Sequence, residues 1–244
     1  MRRRKSRSPS LRIADVYTAR GLLRINLLHD WSGARTDLER ALSLSPSSVD
    51  SLLQYGWLLG RLGRLPEAVA SMRRGTILDP LAVGGWIQLS YLYFGTGQLD
   101  LAEAAATRAL DLSPEQGRAA RNLGFVFLLA GRLADARATF QRSSFDDFRL
   151  MGESMVEHAL HHPVESQRAL DKLLAERYVS SAGFQVAQVY AWRGETDRAF
   201  EWLERAYEHR DAGLGYLKYD PFLRNLRSDP RYTALLKKMN LPLD

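Results

Sequence analysis

The sequence predicts an all-α, right-handed α-solenoid of about six helix pairs with a C-terminal helical cap. Three observations lead there. A helix-turn-helix pattern recurs at a fixed step of 34 residues, clearest over Val83–Pro114, and a fixed period of this length is the signature of a stacked repeat. Ala34, Ala68, Ala102 and Ala136 keep that step, as do Pro46, Pro80 and Pro114. The 45% hydrophobic and 25% charged composition is that of an ordinary globular chain, so each pair has an apolar face to bury.

Residues 1–12 read as a basic disordered tail, too charged and too poor in apolar groups to fold alone. Arg2, Arg3, Arg4, Lys5, Arg7 and Arg12 stand there without an acid and account for the whole net charge of +6. The other 28 basic residues balance the 28 acidic ones, so the body has no net field to attract a phosphate backbone. Nucleic-acid contact is therefore expected only through residues 1–12. That tail is either an electrostatic arm for nucleic acid or anionic lipid, or a stub without a role of its own.

Residues 13–148 read as four regular repeats. In the first, Tyr17 and Gly21 belong to one helix and Ala34, Leu38 and Ala41 to the next, and the turn around His29–Ser32 is about one residue longer than in later copies. The second has Leu52, Tyr55, Gly56 and Leu59, then Ala68, Met72 and Gly75. The third has Trp86, Leu89 and Tyr93, then Ala102, Ala106 and Ala109. The fourth has Leu123, Gly124 and Phe127, then Ala136 and Phe140. Small residues let two helix backbones approach while large ones fill the grooves beside them. Each proline ends a second helix, since it can neither donate its N–H nor tolerate the preceding turn. Residues 149–210 read as two divergent pairs, over 149–160 with 163–176 and over 184–192 with 196–209. Residues 211–244 read as the cap. Gly213 and Gly215 form a loop there, and short helices start at Asp220-Pro221 and Asp229-Pro230 to cover the open end of the stack.

These residues carry a resemblance to tetratricopeptide repeats: small residues at the eighth, twentieth and twenty-seventh positions and proline at the thirty-second, counting from Val49, Val83 and Gly117. The segments Gly194–Arg210 and Tyr216–Pro242 are further similar to the C-terminal end of large bacterial proteins. In those proteins tetratricopeptide repeats follow a winged-helix, TolB-like, kinase or cyclase signalling domain. No such effector domain stands in this sequence, so neither transcription nor phosphorylation is carried over.

The resemblance implies that the first helices of the pairs line a concave groove. Trp57, Tyr91 and Phe125 form an aromatic ladder along it at the 34-residue step. Leu53, Ile87, Phe94 and Leu128 add apolar surface, and Arg61, Arg118 and Arg121 a cationic edge. The expected ligand is a peptide or partner segment anchored by aromatic and arginine side chains. On that reading Tyr91→Ala with Phe125→Ala abolishes partner capture without unfolding the stack. The competing expectation is that neighbouring repeats or the divergent C-terminal half fill the groove. The lysine and asparagine set that grips a chaperone's terminal carboxylate is not reproduced, because the ninth positions are aromatic. Arg118 and Arg121 remain suited to an acidic side chain or terminal carboxylate.

His158, His161 and His162, near Glu153 and Glu157, have the spacing of metal ligands on a helix, but they lie where the helix ends at Pro163 and lack an HExxH arrangement. They read as a capping or exposed cluster, and neither a metal nor another cofactor is expected. Among catalytic patterns there is no GxSxG, no phosphate-binding loop and no cysteine, and the pair Asp146-Asp147 is placed in a turn. No apolar run reaches the ~20 residues needed to cross a membrane, and the N-terminus lacks the apolar core of a signal peptide. The expectation is a cytoplasmic, non-enzymatic protein-interaction scaffold. Nucleic-acid contact through the tail and self-association through the uncapped face of Ile13–Leu28 are the alternatives.

Overall fold

The computed structural model describes residues 9–175 and 182–243, and the side chains from Ile13 onward. The basic tail at residues 1–12 thus lies outside the described side chains. Among the described residues twelve helices stack as six antiparallel pairs: α1 (Pro9–Leu23) with α2 (Trp31–Leu44), α3 (Val49–Arg61) with α4 (Leu65–Leu78), α5 (Val83–Gly95) with α6 (Leu99–Leu112), α7 (Gly117–Leu129) with α8 (Leu133–Gln141), α9 (Asp146–Ala159) with α10 (Pro163–Ala175), and α11 (Gly183–Trp192) with α12 (Thr196–Glu208). Two 3₁₀ segments (Ala212–Tyr216 and Pro221–Leu226) and α13 (Pro230–Lys238) follow among the described residues.

The 34-residue step has a visible cause at each turn. Gly63 ends α3 in the left-handed region at φ 81°. The Gly63 N–H then donates to the Gly60 carbonyl and the Arg64 N–H to that of Leu59, the pairing that satisfies the last carbonyls of a helix. Gly97, Gly131 and Gly194 repeat this geometry, where a side chain would cost about 1 kcal/mol or more. In the first pair His29 takes the same position at φ 50°. The extra residue expected there falls before the turn, absorbed as a π-helical turn at Arg24–Leu28. Gly56 and Gly124 are required for size, since a Cβ on either would sit 2.8 Å from Met72 or 2.7 Å from Phe140.

One expectation about local structure is corrected. Asp146 and Asp147 form the first turn of α9 rather than a loop, a place where carboxylates favour the positive end of the helix dipole. The C-terminal segment packs α13 on α12 of the last pair, where Arg231 pairs with Asp197 and Lys238 with Glu204, and it extends beyond that end of the stack. It runs along the face built by the first helices and returns to the first pair. There the Trp31 indole N–H donates to the Met239 carbonyl over 3.0 Å, and Lys218 Nζ reaches the Leu62 carbonyl at 3.4 Å. At the other end Asn225 Nδ2 donates to the Ala191 carbonyl and the Tyr207 hydroxyl to that of Lys238. One segment thereby ties the first pair to the last.

Candidate functional site

The aromatic ladder is where the segment lands. Tyr91 and Phe125 are 1% and 0% exposed, and Phe94 is buried beside them. Phe222 seats its ring 4.8 Å from Phe125, 5.5 Å from Phe94 and 5.4 Å from Trp192, while Tyr216 lies 4.3 Å from Tyr91. Burying rings of this size stabilises by about 1.5–3 kcal/mol each. That gain explains why an apolar face 34 residues deep in pattern does not stay open when the same chain supplies Tyr216, Tyr219 and Phe222. The polar centre of the contact is Asp220. It accepts from the Tyr91 hydroxyl at 2.8 Å, from Gln188 Nε2 at 2.5 Å and from the Phe222 N–H at 2.8 Å. Burial pushes the Asp220 carboxyl up, against these hydrogen bonds, and pushes the Tyr91 phenol well up. Gly60 and Gly95 make room for the segment: a Cβ on Gly95 would stand 2.6 Å from the Tyr219 carbonyl oxygen.

The other residues expected in the groove divide. Leu53 packs against Gly75 and Gly85, and Ile87 joins Ala109 and Ala119, so both serve the junctions between pairs and not the inner face. Leu128 is buried in the main core. Trp57 is half-buried and Arg118 exposed, whereas Arg61 and Arg121 are buried. Arg121 donates through Nε and Nη2 to Asn122 Oδ1 and lies over Tyr91, Phe148 and Tyr216. The Arg61 guanidinium lies over the Trp57 ring at 4.1 Å.

What the segment leaves open is a cleft with two lobes. The larger, about 420 Å³, brings together Arg118, Arg121 and Arg210 with Trp57, Phe148 and Tyr216. Gln185 also lines it, and its Oε1 is buried with no hydrogen-bond donor. The single carboxylate in that lining, Asp211, accepts from the Phe184 and Gly213 N–H groups at 3.0 and 2.8 Å and is raised by burial. It is committed to backbone and is not the counter-ion of the three guanidiniums. The smaller lobe, about 220 Å³, shares Trp57, Arg210, Asp211 and Ala212 with the larger and adds Arg61, Trp31 and His29. Arg210 escaped the sequence reading because it belongs to no repeat position. It takes φ 54° at the end of α12, and that geometry places it at the shared rim.

The histidines are not drawn together as a metal site. His162 Nδ1 contacts Glu157 Oε2 at 2.9 Å, Glu157 pairs with Arg137, and His161 occupies the left-handed turn position at φ 60°. Burial and Arg193 push the His158 imidazole down. Among the described residues no group of three His, Cys, Asp or Glu side chains could hold a metal ion, and no helix is long and apolar enough to cross a membrane.

Comparison with known proteins agrees with this architecture. The tetratricopeptide repeat family model matches residues 28–82 and 87–146. No curated protein matches the sequence. Among solved structures, a tetratricopeptide repeat protein from Parabacteroides merdae is 18% identical with a TM-score of 0.58, over 94% of this chain and 93% of that one. PilW, a type IV pilus biogenesis factor, is 25% identical with a TM-score of 0.60, over 67% of this chain and 77% of its own. Pseudomonas aeruginosa pilF is 16% identical with a TM-score of 0.60, over 87% and 98%. Over the matched segments the chain is similar to tetratricopeptide repeats, and its six stacked helix pairs have the architecture of an α-solenoid.

Proposed function

We propose that the chain is a non-enzymatic scaffold that holds an acidic segment of a protein partner in the larger lobe of the cleft. The observation that supports this reading is the meeting of three guanidiniums and three aromatic rings around one open cavity, with its one carboxylate already bound to backbone amides. Arginine and aromatic side chains are the usual anchors of protein recognition, and guanidiniums select carboxylates through charge-assisted, bidentate hydrogen bonds. The buried Gln185 Oε1 adds an acceptor suited to a backbone N–H of an extended segment. The recognition surface is thus displaced from the aromatic ladder to the gap between α3, α5, α7 and the Asp211–Tyr216 turn.

A fluorescein-labelled peptide of alternating glutamate and leucine, followed by polarisation, tests the reading against a lysine-leucine control. Tight binding of the acidic peptide alone, weakened about tenfold by Arg118→Gln and again by Arg210→Gln, is the expected result, with marked weakening at high salt. Equal binding of both peptides, or binding that ignores both substitutions, removes the cleft from consideration.

A further inference from the structure

The smaller lobe holds a charge that rests on the Trp57 and Trp31 rings and has no carboxylate counter-ion. Arg61 is 9% exposed, no carboxylate among the described residues pairs with it, and its Nε is buried with no acceptor. A buried, uncompensated guanidinium is costly, and such groups are normally found paired. Arg210 adds a second positive charge to the same lining, and the two together help burial to push the nearby His29 imidazole down. Asp211 cannot serve, since both its oxygens face backbone N–H groups. Ile25, Leu214, Met239 and the Trp31 ring give the lobe an apolar side, and Asn26, His29 and Tyr207 also line it.

We infer that this lobe is a binding site for a small hydrophobic monocarboxylate, aromatic or branched aliphatic. The ligand's carboxylate would pair with Arg61 and Arg210, and its apolar body would rest on Ile25, Leu214 and Met239. Three features select this class. A cavity of about 220 Å³ is too small for a drug-sized ligand or a peptide segment, and it suits a compact one. The apolar side and the adjoining Asp211 disfavour a dianion such as phosphate, which would lose its hydration without enough positive charge to replace it. The guanidinium without a carboxylate counter-ion in turn disfavours a neutral ligand, which would leave Arg61 as it stands. Because Arg61 belongs to α3, Ile25 to the first pair, and Leu214 and Met239 to the C-terminal segment, an occupant bridges all three. The inference goes beyond the scaffold reading and does not rest on it.

Benzoate is the probe, with the isosteric neutral benzamide and inorganic phosphate as controls, followed by calorimetry and by thermal midpoint. Benzoate is expected to bind with a Kd on the order of 0.1–1 mM, as befits nine heavy atoms, and to raise the midpoint. Benzamide is expected to bind at least about tenfold more weakly, the loss of a charged hydrogen bond, and phosphate not detectably. Arg61→Met should abolish benzoate binding. Asn26→Trp, an exposed position on the lobe's rim, should block it while leaving the core untouched, and it decides the matter if Arg61→Met does not fold. Arg118→Gln should weaken the acidic peptide and leave benzoate binding unchanged, which separates failure of this inference from failure of the scaffold reading. No benzoate binding at 10-fold above the expected Kd range, equal affinity for benzamide, or binding that survives Asn26→Trp would overturn the proposal.

Discussion

Replacing Tyr91 and Phe125 together by alanine distinguishes an open groove from one filled by the chain's own C-terminal segment. If the two rings faced solvent, truncating them would change stability by no more than about 0.5 kcal/mol, the usual range for surface positions. The structure places them otherwise. Tyr91 touches the rings of Phe94, Phe125, Tyr216 and Tyr219, and its hydroxyl satisfies the buried Asp220. Losing an aromatic ring from a packed core costs about 3–5 kcal/mol. Stranding part of a buried acceptor adds about 1–3 kcal/mol. Phe125→Ala contributes another ~3–5 kcal/mol. The rings are in contact at 6.4 Å, so the terms do not simply add. A total on the order of 6–10 kcal/mol remains, comparable with the whole stability of a typical domain at about 5–15 kcal/mol.

The assay is far-UV circular dichroism through thermal and urea melts, with Tyr91→Phe as the graded control. That single substitution keeps the ring and drops only the hydroxyl, and it should cost about 1–3 kcal/mol. Because a repeat stack loses stability locally, the double variant should show a lost or broadened transition over α5, α7 and the C-terminal segment, even if outer pairs persist. A cooperative melt with a midpoint near that of the wild type would refute the buried-ladder reasoning. It would also return the two rings to the list of partner contacts.

Two further outcomes follow from the same contact. Asp220 has its carboxyl raised by burial, so the folded state holds its proton more tightly than the unfolded state. Its contribution to stability is therefore lost as pH rises from the ordinary carboxylate value near about 4 through the raised one. The midpoint of the wild type minus that of Asp220→Asn should fall over that window, and a flat or rising difference would contradict it. Gly95→Ala puts a Cβ against the Tyr219 carbonyl and should destabilise by about 1–3 kcal/mol, although alanine is ordinarily the better helix former; a stabilised variant in urea melts would show that the segment does not press on α5.

The repeat was legible because each of its features has a local cause. A left-handed turn needs glycine, a close helix crossing needs a small residue, and a helix stop tolerates proline, so Gly63, Gly97 and Gly131 or Ala68, Ala102 and Ala136 announce themselves at a fixed step. The filling of the inner face had no such period. Its determinants are Tyr216, Tyr219, Asp220 and Phe222 on one side and Tyr91, Gln188 and Trp192 on the other, joined by hydrogen bonds that span up to 129 residues of sequence. Periodicity identifies which residues share a face. It does not say what covers that face, because a partner's aromatic rings and the chain's own satisfy the same hydrophobic demand. Two signals did point to the answer. Gly60 and Gly95 are small at inner positions where the repeat does not require it, and the C-terminal segment is richer in buried aromatics than a mere end cap needs. Arg61 shows the converse. As the edge of an open groove it would be an ordinary solvated cation. Once the segment closes over it, the same side chain becomes a desolvated charge facing a small apolar lobe. The role inferred for it thus depends on a tertiary contact, the one that brings Leu214 and Met239 to the same lobe as Arg61.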